Sequence, residues 1–284
     1  MADFDRIRNV ANRISNAITN NQRIVVIVSA MGSMTDDLIY MAHQISDKHD
    51  PREMDALLST GELVSCALMA MTLNSMGYNA ISLSGAQAGV YTDTTHGKAK
   101  ISVLNPQRIL DELDNGNVVI VAGFQGVTSD MDVTTLGRGG SDTTAVAIAA
   151  VLDADICEIY TDVDGIYTAD PKLVPNAKKL DSISFEDMLE MASYGAKMDP
   201  RSIELGMVYN IPLVVASSTG SVSGTLIHED NDMESNVGEI RNRVIGIVTD
   251  TNVAKITVLG IKNSPGMAAN LFEPLSNAGI SVDV

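Results

Sequence analysis

The chain has 284 residues, 45% of them apolar, a formal net charge of −17 and two cysteines. That length can bury one large core and carry a smaller second module. The acidic balance excludes a nucleic-acid binder, which needs a basic face, and any phosphate site must bring its own cations. No run of about 18 uninterrupted apolar residues reads as a membrane span. Cys66 and Cys157 sit in apolar segments without CxxC or histidine pairing. They read as reduced core residues of a cytoplasmic protein.

In chain order, Ile7, Val10, Ala11, Ile14, Ala17 and Ile18 recur at helical spacing. Asp3 and Asp5 among the nearby arginines favour a core-packing helix over a cleaved transit peptide. Strands are expected at 24–28, 80–83, 118–122, 156–160 and 213–216. Helices are expected at 62–75, 106–114, 143–152, 185–193 and 201–208. This alternation predicts a largely parallel sheet with helices on both faces. Met69, Met71 and Met76 read as core filling. Polar stretches at 217–224 and 228–238 mark a boundary. Beyond it come strands at 244–248 and 255–261, a turn at 263–266, a helix at 267–277 and a strand at 280–284.

One segment stands out for chemistry: Thr134-Thr135-Leu136-Gly137-Arg138-Gly139-Gly140-Ser141-Asp142-Thr143-Thr144. It follows a strand and enters a helix, so its glycines can turn tightly and present backbone N–H groups. Ser141 or Asp142 can cap the helix start. The first helical turn is then an anion site with Arg138 beside it. Neither GxxxxGK[ST] nor GxGxxG is present, so the cradle belongs to neither common nucleotide class. The histidines His43, His49, His96 and His228 have no metal-ligand spacing, and no metal site is expected. His96, in a Thr-Thr-His-Gly turn, reads as a surface or loop-packing residue.

This segment resembles the aspartate kinase family, and further blocks match in that family's order. They are Val26-Ile27-Val28-Ser29-Ala30-Met31-Gly32, Leu57-Leu58-Ser59-Thr60-Gly61-Glu62 and Ala122-Gly123-Phe124-Gln125-Gly126. The run from Glu158 through Thr161-Asp162-Val163-Asp164-Gly165-Ile166-Tyr167 to Pro171 follows. Asn252-Val253-Ala254-Lys255-Ile256-Thr257-Val258 is similar to the start of that family's ACT module. The resemblance implies an α/β, three-layer amino-acid-kinase fold over 1–228, then a linker and an incomplete ferredoxin-like ACT domain over 229–284. It implies transfer of phosphate from ATP, with Mg2+, to the side chain of L-aspartate, and a homo-oligomer with a lysine or threonine effector at the ACT module.

Residue roles follow from the same resemblance. Arg138 clamps the α-carboxylate of aspartate, a bidentate task that suits its planar fork. Glu62, expected at a helix start, holds the ammonium, and Ser29 and Thr35 touch the reacting carboxylate or phosphate. Thr35 is equally well read as a cap of the next helix. Ser141 and Asp142 are the catalytic pair, with Gly139 and Gly140 cradling phosphate. Thr161, Asp162, Tyr167, Lys172 and Lys197 are the remaining nucleotide contacts. Around Lys197 the family's spacing is one residue longer. Here Met198-Asp199-Pro200-Arg201 reads as a cap at Asp199 with Pro200 opening a helix.

The family also carries a first strand ending in Lys-Phe/Tyr-Gly-Gly-Thr-Ser, and no such run occurs in these residues. The chain is therefore expected to be truncated at both ends and short of the family's catalytic lysine. Two rival readings remain: another kinase of this fold, acting on glutamate, acetylglutamate or UMP, and a binding fragment that cannot transfer phosphate.

Overall fold

A computed structural model describes residues 3–20, 22–196, 198–218, 223–229, 244–249, 256–260 and 265–277. Helices and strands run α1 (Phe4–Thr19), β1 (Val25–Val28), α2 (Met34–Ile45), α3 (Pro51–Ser75), β2 (Ala80–Leu83), β3 (Val90–Thr92), β4 (Ile101–Leu104) and α4 (Gln107–Asp114). Then come β5 (Val118–Ala122), β6 (Gln125–Val127), β7 (Val133–Thr135), α5 (Gly140–Val151), β8 (Cys157–Thr161), β9 (Ser182–Ser184), α6 (Phe185–Ser193) and α7 (Pro200–Tyr209). β10 (Leu213–Ser217), β11 (Thr225–His228) and α8 (Met267–Asn277) complete the order.

β5 is buried at all five positions, which is why its sequence is an unbroken apolar run rather than an alternating one. It pairs in parallel with β1 on one edge and β2 on the other. Val118, Ile120 and Ala122 face Ile7, Ile14, Met69 and Leu73 of α1 and α3. Val119 and Val121 face Leu83, Ile109 and Ile148 on the opposite side. A second sheet has the order β8-β10-β11-β9, with β8 and β10 parallel and β10 and β11 antiparallel. Phe185, Met188 and Ile203 cover it. Helix α5 serves both layers, placing Val146 in one cluster and Ile148 in the other.

All five expected strands are present within a residue of their expected ends, and β2 and β5 have the expected bounds. The helices at 106–114, 143–152, 185–193 and 201–208 also appear, with shifted ends for all but α6. The third sheet, β4-β3-β6-β7, was not anticipated from the sequence. It is mostly antiparallel, and its strands of three or four residues are too short to show a period. Nor was α2 anticipated.

Helix α3 corrects a further expectation. It begins at Pro51, where Asp50 accepts hydrogen bonds from Arg52 N at 2.9 Å and Glu53 N at 3.4 Å. Asp50-Pro51 followed by Glu53 is a helix-start signature. Glu62 therefore lies in mid-helix, and stabilisation by the helix N-terminus does not apply to it. By length and composition α3 alone among the described helices could cross a membrane, but Met69, Ala70 and Leu73 are buried as in a core helix. Of the three methionines expected in the core, only Met69 is there, because Met71 and Met76 are exposed. Cys66 and Cys157 are buried and free, and burial pushes their thiols up to about 11 and about 12.

The residues divide into two compact units, 1–249 and 250–284. Residues 244–248, expected as a strand, join no β-ladder, and Ile247 N donates instead to Thr168 O at 2.8 Å. Residues 256–260 also lie in no ladder, while the turn at Pro265 and Gly266 and helix α8 appear as expected. The strand expected at 280–284 lies outside the described residues.

Asp55 of α3, 1% exposed, ties this helix to the end of β7 and to the loop that carries His96 and Gly97. It accepts from Thr135 Oγ1 at 2.5 Å and Gly97 N at 3.0 Å, and His96 Nδ1 stands 2.8 Å from it. His96 thus packs a loop, as its turn predicts. Asp55→Ala leaves these donors buried without an acceptor and is expected to cost about 3 kcal/mol in urea unfolding. Asp55→Asn, which keeps one acceptor oxygen, should cost less, and equal losses would refute this account.

Candidate active site

The C-terminal ends of β1 and β5 meet the first turn of α5, and glycine makes that meeting possible. A Cβ on Gly123 would stand 2.8 Å from Ile27 Cγ2 and 2.9 Å from Ser141 Oγ. Phe124 follows with φ of 67°, rare for an aromatic residue. Its N–H donates to Thr144 Oγ1 at 3.2 Å, and its carbonyl accepts from Leu136 N at 2.8 Å. These bonds hold a strained backbone at the mouth of the site.

The turn from 136 to 139 uses left-handed glycines at Gly137, φ 77°, and Gly139, φ 70°. Gly139 is the N-cap of α5 and makes no side-chain cap bond. Ser141 and Asp142 are therefore first-turn residues and not the cap that the sequence led us to expect. Gly140 N is taken by Gly137 O at 3.0 Å. Among the described residues nothing accepts from the N–H groups of Ser141 and Asp142. A helix start left open in this way has the N–H groups and dipole to accept an anion.

Glu62 reaches the same place from α3. Gly61 beside it lets the helix approach, since a Cβ there would lie 2.9 Å from Ala30 Cβ. Glu62 is 4% exposed, and its Oε1 accepts from Ala30 N at 3.1 Å. Its Oε2 is buried with no partner among the described residues. Burial raises the Glu62 carboxyl above its ordinary range, against a smaller opposing effect of the Ala30 N–H. Arg138 is exposed, and no described acid forms an ion pair with it.

Ser29, Thr35, Glu62 and Phe124 line one side of a cavity of about 250 Å³. Gly137, Arg138, Gly139, Gly140, Ser141 and Asp142 line the rest. Thr35 is in the first turn of α2, whose N-cap is Ser33, so it is not the cap of that helix. Burial, and then the charge of Asp199, push the Asp142 carboxyl up to about 6.

Of the other expected nucleotide residues, the described ones, Thr161, Asp162, Tyr167 and Lys172, do not line this cavity. Thr161 ends β8, and its Oγ1 donates to Asp162 Oδ1 at 2.9 Å. Tyr167 donates its hydroxyl to Asp164 Oδ1 at 2.9 Å, while Lys172 is exposed in a turn begun by Asp170. Lys197 lies outside the described residues. Asp199 does cap α7 with Pro200 behind it, accepting from Arg201 N at 2.9 Å. Sequence reasoning assigned no role to Gly123 or Phe124, although both stand in a block that it singled out.

The chain that carries this arrangement, an open helix start among parallel strands facing a buried acid, is similar to known proteins. The model of the amino acid kinase family matches residues 1–217. The aspartokinase of Mycolicibacterium smegmatis is 52% identical over 289 residues, covering 100% of this chain and 67% of that protein. The crystal structure of aspartate kinase from Synechocystis has a TM-score of 0.72 at 47% identity, covering 80% of this chain and 38% of that one. E. coli aspartokinase III in complex with aspartate and ADP has a TM-score of 0.76 at 25% identity, covering 100% and 73%. The chain belongs to the amino acid kinase family and, within it, to the aspartokinases. It spans about two thirds of the length of the curated relatives it matches.

Asp142 gives a signed test. Its folded pKa lies above the ordinary value of 3.8, so its contribution to stability is fully present below that value and is lost as pH rises through about 6. Asp142→Asn should therefore stabilise the fold by about 1–3 kcal/mol at about pH 7.5 and by nothing at about pH 3.5. Urea unfolding at both pH values measures it. A gain that persists in acid would mean that the carboxylate is not the source.

Proposed function

We propose that the cavity binds L-aspartate as a zwitterion and that the site transfers the γ-phosphoryl group of ATP to its side-chain carboxylate. The product is 4-phospho-L-aspartate, the first step toward lysine, threonine and methionine. One observation carries this reading: the same small cavity is lined by a buried carboxylate oxygen, in Glu62, and by a guanidinium, in Arg138, neither of which has a partner among the described residues. An α-amino acid supplies the two complements, an ammonium for Glu62 and a carboxylate for Arg138. The aspartate and ADP held by the E. coli relative support the same substrates.

The acceptor carboxylate is already ionised at neutral pH, so the reaction needs no general base. It needs two anions aligned and their charge offset in the transition state. In this reading Ser29 and Thr35 orient the acceptor carboxylate. The N–H groups at the start of α5, with Gly139, Gly140 and Ser141, take the transferring phosphate. From there the nucleotide extends toward the end of β8 and its contacts Thr161, Asp162, Tyr167 and Lys172, with Lys197.

Among the described residues no group of three or more His, Cys, Asp or Glu could hold a metal by itself. Mg2+ is commonly held by one or two carboxylates plus substrate phosphates. Asp142, a carboxyl with no cation paired to it among the described residues, fits that part. Mg2+ bound with ATP neutralises phosphate charge. A lysine or threonine effector at the ACT module expected within 229–284, and a homo-oligomer, complete the reading.

Two measurements test it. Arg138→Lys loses half of a bidentate clamp, so the Kd for aspartate by calorimetry, and KM in a hydroxylamine trap for the acyl phosphate, should rise about 10- to 100-fold. Unchanged values would rule out the clamp. Pairing Glu62 with an ammonium favours its charged form, so binding should release protons and weaken as pH falls into the range where Glu62 protonates. Calorimetry in two buffers of different ionisation enthalpy reads that release, and Glu62→Gln should abolish it.

A further inference from the structure

The turn that carries Arg138 is gripped from behind by a second arginine, to which the proposed reaction gives no part. Arg201, in the first turn of α7, donates from Nη2 to Leu136 O at 3.0 Å and to Arg138 O at 2.9 Å. Its Nε donates to Asp199 Oδ1 at 3.3 Å, which holds the guanidinium in one orientation. Asp199 itself lies against the turn, because a Cβ on Gly139 would stand 2.1 Å from Asp199 Oδ2. Any side chain at Gly139 would expel it.

The consequence lies in peptide geometry. In a trans peptide the C=O of one residue and the N–H of the next point in opposite directions. With the carbonyls of Leu136 and Arg138 drawn toward Arg201, the N–H groups of Gly137 and Gly139 point away from it. Neither N–H has an acceptor among the described residues, and both glycines line the cavity. Alternating carbonyls bound behind and N–H groups free in front make an anion-binding concavity.

We propose that Asp199 and Arg201 form a staple that sets the turn at 136–139, presenting its N–H groups and the Arg138 guanidinium to the anionic substrates. Arg201 is thus a positioning residue that touches neither substrate. The proposal rests on the reading of the cavity given above. Asp199 has an electrostatic cost here, since its charge helps raise the Asp142 carboxyl. An acid beside an anion site is tolerable because Arg201 sits between it and the turn's carbonyls.

The test compares the whole chain with Arg201→Lys and Arg201→Ala. Amide exchange read by mass spectrometry should rise about tenfold in peptides covering 136–142 while β5 and β8 keep their protection. The Kd for aspartate should rise about 10- to 100-fold in Arg201→Ala and less in Arg201→Lys, whose ammonium lacks the planar fork. Millimolar methylguanidinium should restore part of the affinity of Arg201→Ala. Unchanged exchange at 136–142 in both variants overturns the staple, as does a rise spread evenly over the chain, which marks general destabilisation. Local loosening with an unchanged Kd overturns it too. If the wild-type chain binds no aspartate, the reading of the cavity fails, and the staple is decided by the exchange result alone.

Discussion

The whole site depends on the uncapped start of α5. Most helices close their first turn with a Ser, Thr, Asp or Asn side chain. Here the N-cap is a glycine in the left-handed region, and the N–H groups of Ser141 and Asp142 stay open among the described residues. Such an end is tolerable because the rest of the helix is anchored. Val146 and Ile148 are buried in two different clusters, so α5 is gripped by both sheets and its first turn cannot drift. Burial of about 25 cal/mol per Å² of apolar surface along the helix supplies what the missing cap does not.

Charge is arranged against the same background. A chain at −17 has no long-range attraction for phosphate, so everything attractive is local. The cavity combines a helix start, Arg138 and a buried half-satisfied Glu62. It also holds Asp142, whose ionisation is opposed by burial and by Asp199. Groups left in such states destabilise the empty fold and are relieved when complementary charge arrives. That is the usual relation between stability and function at a binding site.

Much of this was legible in the residues. The apolar run of β5 announces itself because a strand buried on both faces needs no alternation, whereas β8 shows the alternation itself, with Cys157 and Ile159 buried and Glu158 and Tyr160 exposed. The glycine-rich entry to α5 is legible because only certain residues permit its backbone. Glu62, Arg138, Ser29 and Thr35 could be picked out by resemblance, although they come from three separate stretches of chain. The start of α3 was missed even though Asp50-Pro51 announces it, because the apolar periodicity becomes clear only farther along. The short strands β3, β4, β6 and β7 carry too few residues for any period to register, and only pairing between distant segments defines them.

The sequence by itself determined the more apolar local elements: where the strands of the two larger apolar layers run, where glycine bends the chain, and which glycine-rich segment opens a helix. Those outcomes follow from backbone conformation and hydrophobic period, which each stretch carries alone. Only the tertiary structure decided that Glu62 is buried with one oxygen unpaired among the described residues, and that Gly123 must be small to admit Ser141. It alone set Arg201 behind the Arg138 turn, 63 residues away in the chain. These are contacts between segments, and desolvation, close approach and hydrogen-bond geometry exist only once the segments have met.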